Sequence, residues 1–248
     1  MTLTEADTAW GEHFEPPPNL NMAKNKPREV FVRNGTVIFK EIEAAIEQYL
    51  PGREIGNLDI LDFGCGVGRV AMPFYYKYKK PTVCVDLVKV YIDYLQRVIP
   101  GAQPQMSTFQ PPLPFADGSF DVIYSISVWT HLEPGSGAAW LDEVARLLRP
   151  GGVALISTSS YVQLERHRKH KERSKLWGDV TDDDLKSEGI IFRGEQMDGM
   201  GGVYGCTVHE PAWVKEHWSK VMPVQETRVR AIGGAEGGAQ DLNIMIKG

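Results

Sequence analysis

The sequence predicts an α/β protein built on a mostly parallel sheet. Short apolar runs (LDILDF, TVCVD, FDVIYSI and VALIST) alternate with segments whose apolar residues recur at the helical period. The first run also opens into a glycine-spaced turn, Gly64, Gly66 and Gly68, at a strand-to-helix junction.

Residues 1–29 read as an arm, polar and aperiodic, with Pro16, Pro17 and Pro18 barred from any helix interior. A helix is predicted over Thr36–Leu50 from the spacing of Val37, Ile38, Ile42, Ala45 and Ile46, stopped by Pro51-Gly52. A buried strand follows at Leu58–Phe63, a helix at Val67–Tyr78, a strand at Thr82–Asp86 and a helix at Val88–Val98. Phe120–Ile126 is a strand, Ala138–Leu148 a helix, Pro150-Gly151-Gly152 a turn and Val153–Thr158 another strand. The rhythm then breaks. Residues 160–180 carry many charges and no clear apolar face, Ile190–Arg193 and Val203–His209 suit a hairpin turning at Gly199–Gly202, and Pro211–Ser219 suits a short helix. Val224–Ile232 and Asp241–Ile246 read as closing strands.

The bulk properties narrow the function. A 248-residue chain with 42% hydrophobic residues can bury a sizeable core. A formal net charge of −5 supplies no field that draws nucleic acid, so no nucleic-acid partner is expected. Cys65, Cys84 and Cys206 form neither a disulfide framework nor a zinc set, no apolar run approaches the ~20 residues of a membrane helix, and the first residues lack a signal peptide's apolar core. These features predict a soluble, cytoplasmic protein.

The turn Asp62-Phe63-Gly64-Cys65-Gly66-Val67-Gly68 has a chemical purpose. Glycines let backbone pass close to a ligand, and the helix that follows presents free N–H groups. Its G-x-G-x-G spacing differs from the dinucleotide G-x-G-x-x-G, and no phosphate-loop motif is present. Asp86 ends the second strand, where a carboxylate can hold two ribose hydroxyls.

With these residues in view, LDILDFGCGVGRVAMPF resembles motif I of the class I, Rossmann-like S-adenosylmethionine-dependent methyltransferases. PPLPFADGSFDVIYSISVWTHL and LLRPGGVALIST resemble the later motifs of the same family, so the resemblance covers roughly residues 55–160. It implies a three-layer, seven-stranded sheet with an antiparallel last strand, S-adenosylmethionine as methyl donor and S-adenosylhomocysteine as product. It also implies residues 1–35 as an N-terminal arm or lid and 36–248 as the methyltransferase domain, with a substrate cap inserted at 160–210 after strand 5.

Matched to the motifs, Asp62, Gly64, Cys65, Gly66 and Gly68 would line the methionine part of the donor and Asp86 its ribose. Leu87, Thr108 and Phe109 would meet the adenine, and Ser125 to Ser127 would lie under the methionine. Thr108 and Phe109 stand where the family often has an acid or amide. Arg33, placed just before the first helix, would pair with the donor carboxylate.

Methyl transfer from a sulfonium asks mainly for alignment and exclusion of water, with a base only if the acceptor must lose a proton. The candidate catalytic residues are His131, whose alternative role is to shape the pocket, and His209, whose alternative role is to cap a helix. Asp182, Asp183 and Asp184 are adjacent and follow Thr181, the pattern of a helix start, so no metal is expected. The basic run Arg166–Lys175 suits an anionic substrate or a solvated loop. The acceptor expected is a small molecule, a sugar or a natural-product intermediate methylated on oxygen. A protein or peptide methyltransferase, a non-catalytic donor-binding scaffold and a nicotinamide-dependent dehydrogenase are the alternatives.

Overall fold

The computed structural model describes residues 3–15, 27–194, 204–234 and 237–248. The chain opens with helix α1 (Glu5–Thr8) and a 3₁₀ turn (Ala9–His13), then α2 (Arg28–Tyr49) and a 3₁₀ turn at Ile55–Asn57. The alternating part is β1 (Ile60–Phe63), α3 (Ala71–Tyr78), β2 (Val83–Asp86), α4 (Lys89–Val98), β3 (Gln105–Met106), β4 (Phe120–Ser125), α5 (Pro134–Leu147) and β5 (Leu148–Ser159). An insertion follows: α6 (Tyr161–Lys169), α7 (Ser174–Trp177), α8 (Asp182–Glu188), β6 (Ile190–Gly194), β7 (Gly205–His209) and α9 (Pro211–Trp218). Strands β8 (Val224–Gly234) and β9 (Gly237–Ile246) close the fold.

Seven strands form one sheet in the order β3-β2-β1-β4-β5-β9-β8. The first five are parallel, and β9 runs antiparallel to both β5 and β8. This is the three-layer sheet with an antiparallel last strand that the sequence predicts. Alternation along the strands explains the layers. Ile60, Val122, Tyr124, Val153 and Leu155 face α2 and the start of α3. Leu61, Phe63, Ile123, Ala154 and Ile156 face α5 and α9, whose Trp140, Leu141, Val214 and Trp218 complete that side. Strand order reverses between β1 and β4, so the crevice at their carboxyl ends is the switch point where open α/β sheets bind ligands.

Several local expectations are corrected. The first long helix begins at Arg28, not Thr36, so Arg33, Asn34 and Gly35 lie inside it. Pro27, the residue before its first turn, is the start signal, and Phe31 and Val32 are buried on its inner face. Gly35 is required by packing: a Cβ there would lie 2.5 Å from the Arg69 carbonyl oxygen. Residues 3–15 dock. Trp10 and Phe14 are buried against Phe31, Val32 and Tyr94, and the Trp10 indole donates to Thr36 Oγ1 at 2.9 Å. The predicted turn at Pro150-Gly151-Gly152 lies within β5. Residues 160–180 hold two helices that bury Leu164 and Trp177 in a small core with Leu185, Ile191 and Val208. The hairpin forms as β6–β7, while its predicted turn at Gly199–Gly202 lies outside the described residues. Thr181 does cap α8, closing a capping box with Asp184.

Candidate functional site

At the switch point the backbone does most of the building. Gly64, Gly66 and Gly68 adopt φ of 77°, 53° and 78°, a region that side chains resist. A Cβ on Gly64 would sit 2.2 Å from Val128 Cγ2, and one on Gly68 2.4 Å from Leu95 Cδ2. The Gly64 and Cys65 amides donate to the Val85 carbonyl at 2.9 and 3.1 Å, which pins the turn to β2. The Gly66 amide donates to Asp86 Oδ2 at 2.8 Å, while Asp86 Oδ1 accepts from the Val88 amide at 2.9 Å. The carboxylate predicted at the end of β2 is thus tied directly to the glycine turn. Its pKa is raised, because burial outweighs the backbone amides that hold it down.

Asp62 is buried on β1 and accepts from the Tyr124 hydroxyl at 3.0 Å. Burial pushes its carboxyl up to about 8, and the Tyr124 hydrogen bond only partly opposes this. The Cys65 side chain points into the core with Val67, Ala71, Cys84 and Leu95, and burial pushes its thiol up. Only its backbone can serve a ligand. Leu87 is half-buried beside Asp86.

The segment after β3 reaches the same end of the sheet, since the Ser107 amide donates to the Asp86 carbonyl at 2.8 Å. Thr108 there is exposed and donates to the Gln110 carbonyl. Phe109 is 47% exposed, an apolar ring in the open at a strand end, and its carbonyl accepts from the Trp140 indole at 3.2 Å.

The serines after β4 differ from one another. Ser125 is fully buried and donates to the Phe63 carbonyl at 2.8 Å, which fixes β4 against β1. Ser127 has a positive φ of 65°, a conformation costly for a residue with a Cβ. Its amide donates to Ser157 Oγ at 2.7 Å, and its hydroxyl exchanges hydrogen bonds with the Gln240 amide group at 2.9–3.1 Å. The Ser157 hydroxyl also donates to Gln240 Oε1 at 2.8 Å. Gln240 and Ser157 escaped the sequence reading. The available signal was Asp241 and Asn243, polar residues at alternate positions of an otherwise apolar strand; both are buried, with Asp241 accepting from Ser160 at 2.6 Å.

His131 stacks on Tyr204 with ring centroids 4.7 Å apart, and its Nδ1 lies 2.7 Å from the Gly205 carbonyl. A carbonyl only accepts, so Nδ1 carries a proton. The Thr207 amide donates to the Thr130 carbonyl and the Thr207 hydroxyl to the Leu132 carbonyl, which lays β7 along this loop. His209 is separate. It is 2% exposed and lines a cavity with Trp129, Trp213 and Trp218 to which no residue of the glycine turn contributes. Arg33 is exposed on α2. Among the described residues no group of three or more His, Cys, Asp or Glu side chains could hold a metal ion. No described helix is long and apolar enough to cross a membrane.

Fold and site together define an α/β protein with a glycine turn and a carboxylate at the switch point of a seven-stranded sheet. Residues 61–156 match the family described as methyltransferase domain. The sheet and the helices around it have the Rossmann-like methyltransferase fold. It is 27% identical over 147 residues to the tRNA N(3)-cytidine methyltransferase METTL2 of Gallus gallus, covering 55% of this chain and 38% of that protein. It is 34% identical over 97 residues to the O-methyltransferase resE of Aspergillus sclerotiorum, covering 37% and 36%. The chain therefore spans well under half the length of these curated relatives. In fold it resembles a methyltransferase of Methanosarcina mazei (TM-score 0.56, 19% identity, 82% of this chain and 96% of that one). It also resembles magnesium protoporphyrin IX methyltransferase of Synechocystis PCC 6803 with bound S-adenosylhomocysteine (TM-score 0.55, 12% identity, 93% and 97%).

Proposed function

We propose that the chain transfers a methyl group from S-adenosylmethionine to a hydroxyl of a small molecule, a sugar or a natural-product intermediate. The observation that supports the donor half of this reading is the Gly66 amide bonded to Asp86 at the switch point. That bond sets a backbone cradle and a carboxylate at adjacent strand ends, with no Cβ in the way. The residues fit the donor. Asp86 would hold the ribose hydroxyls, Leu87, Thr108 and the exposed Phe109 the adenine, and the Gly64–Gly68 backbone with Ser127 the methionine part. Asp62 would face the donor's cationic end, where a positive charge favours its ionised form, and Arg33 would meet the donor carboxylate. When bound, the donor supplies an activated methyl group on a sulfonium.

This chain's residues then have three tasks: orientation, shielding from water and, for a hydroxyl acceptor, removal of one proton. His131 suits the last or the first, because its ring is fixed by Tyr204 and by the Gly205 carbonyl. Residues 160–210 would form the substrate cap and residues 1–35 an arm or lid, and in the arm's favour Trp10, Phe14, Phe31 and Val32 share a core cluster with Cys65 and Val67.

The likeness to resE favours an oxygen acceptor, and the net charge of −5 favours a small molecule over RNA. Incubating the protein with methyl-labelled donor and fractionated cell extract tests this. Label is expected in the small-molecule fraction. Label in the tRNA fraction would redirect the reading toward the chemistry named for METTL2, and label in protein would redirect it toward a peptide acceptor.

A further inference from the structure

Between α5, β6 and α9 lies a cavity of about 260 Å³. Trp129, Trp213 and Trp218 form much of its wall, with Leu141 and Ile190 beside them. His209 belongs to the same wall, its ring 5.9 Å from Trp218 and 6.5 Å from Trp213. Its Nδ1 is buried and has no hydrogen-bond partner among the described residues. A buried polar atom left in that state costs about 1–3 kcal/mol, so a His here needs a reason that a Phe would not. Two of the neighbouring polar groups are engaged elsewhere. His217 Nδ1 meets the Trp213 carbonyl at 3.0 Å, and the Glu133 carboxylate accepts from the Gly135 and Ser136 amides at the start of α5.

The chemistry of an occupant follows from these walls. Indole faces and aliphatic side chains favour a flat apolar body. The volume exceeds the ~150 Å³ that holds benzene and falls below the ~300 Å³ at which drug-sized pockets begin, so one or two rings fit. Glu133 and Asp142 line the cavity and disfavour an anion. Desolvation keeps the His209 ring neutral, with one nitrogen donating and the other accepting. A hydroxyl can donate or accept and so suits either tautomer.

We propose that this cavity is a second small-molecule site, taking a neutral aromatic of one or two rings whose single hydroxyl hydrogen-bonds to His209. No residue of the Gly64–Gly68 turn lines it, and its occupancy does not depend on methyl transfer.

Titration calorimetry of the full chain with p-cresol and with p-xylene, which replaces the hydroxyl by a methyl group of similar size, tests this. Wild type should bind p-cresol. His209→Phe should weaken p-cresol relative to p-xylene about tenfold, the loss of one buried hydrogen bond. Val221→Trp, which fills the cavity from its rim, should abolish binding of both. If His209→Phe does not fold, the ring nitrogen resonances of His209 in wild type are the readout, and p-cresol should shift them while p-xylene should not. Failure of p-cresol to bind, displacement of it by S-adenosylhomocysteine, binding that survives Val221→Trp, or a p-cresol to p-xylene ratio unchanged by His209→Phe would each overturn the proposal.

Discussion

The switch-point turn and the insertion after β5 are both ordered, but they are held by different forces. The turn is fixed by backbone: three glycines at positive φ, amides on Val85, and one amide on Asp86. The insertion is fixed by side chains, a small core of Leu164, Trp177, Leu185, Ile191 and Val208 beneath a charged exterior. A backbone-built site tolerates little change at its glycines and is indifferent to distant packing. A side-chain-built insertion can be remodelled without disturbing the turn, so one backbone-built site can stand beside many different insertions.

The largest expected effect comes from Gly64→Ala. A Cβ would meet Val128 at 2.2 Å on a residue already at positive φ. Stability should fall by at least about 2 kcal/mol and S-adenosylhomocysteine binding should be lost, read by thermal melt and calorimetry. Full donor affinity in this variant would break the contrast from the donor side. Leu164→Ala attacks the other side. Removing a fully buried side chain should cost about 2–5 kcal/mol, seen first as faster amide exchange in α6–α8, with donor affinity held within about threefold. A large loss of donor binding there would mean that the two regions are one unit.

Asp62 sharpens the comparison through pH. Its folded pKa of about 8 lies above the ordinary carboxylate value. Its stabilising contribution is therefore complete below about pH 4 and is lost as pH rises through about 8. Asp62→Asn removes that loss. The variant's melting temperature should gain on wild type by roughly 5 °C or more between pH 5 and pH 9, measured without donor. Parallel melting curves would remove the buried carboxyl from the account. The smallest effect belongs to Thr181→Ala, which should cost about 1 kcal/mol by opening the α8 capping box, with donor binding unchanged.

The same contrast explains what could be read from the chain. β1, β2, β4 and the glycine turn were legible because burial on both faces and positive φ leave local signatures in residue type. Asp86 was legible because its place at a strand end brings it against the glycine turn. The insertion was not, since Leu164 and Trp177 are single apolar residues among charges and leave no periodic stripe. The start of α2 hid for a related reason: Arg33, Asn34 and Gly35 interrupt its apolar stripe after Phe31 and Val32. Within the site, Ser125 looked like Ser127 in sequence, yet one hydroxyl is taken by the Phe63 carbonyl and the other meets Gln240. His209, a candidate base, lines the tryptophan cavity, a neighbourhood its flanking residues do not reveal. Such partners come from strands far away in the chain, and no local pattern records them.

The central claim is that the turn joined to Asp86 is a methyl-donor site. Calorimetry with S-adenosylhomocysteine and with NADH, on wild type and on Asp86→Ala, tests it most directly. Wild type should bind S-adenosylhomocysteine and give no heat with NADH, and Asp86→Ala should weaken binding by roughly ten- to a hundredfold as two buried hydrogen bonds to the ribose are lost. NADH binding in place of S-adenosylhomocysteine, or an unchanged affinity in Asp86→Ala, would contradict it.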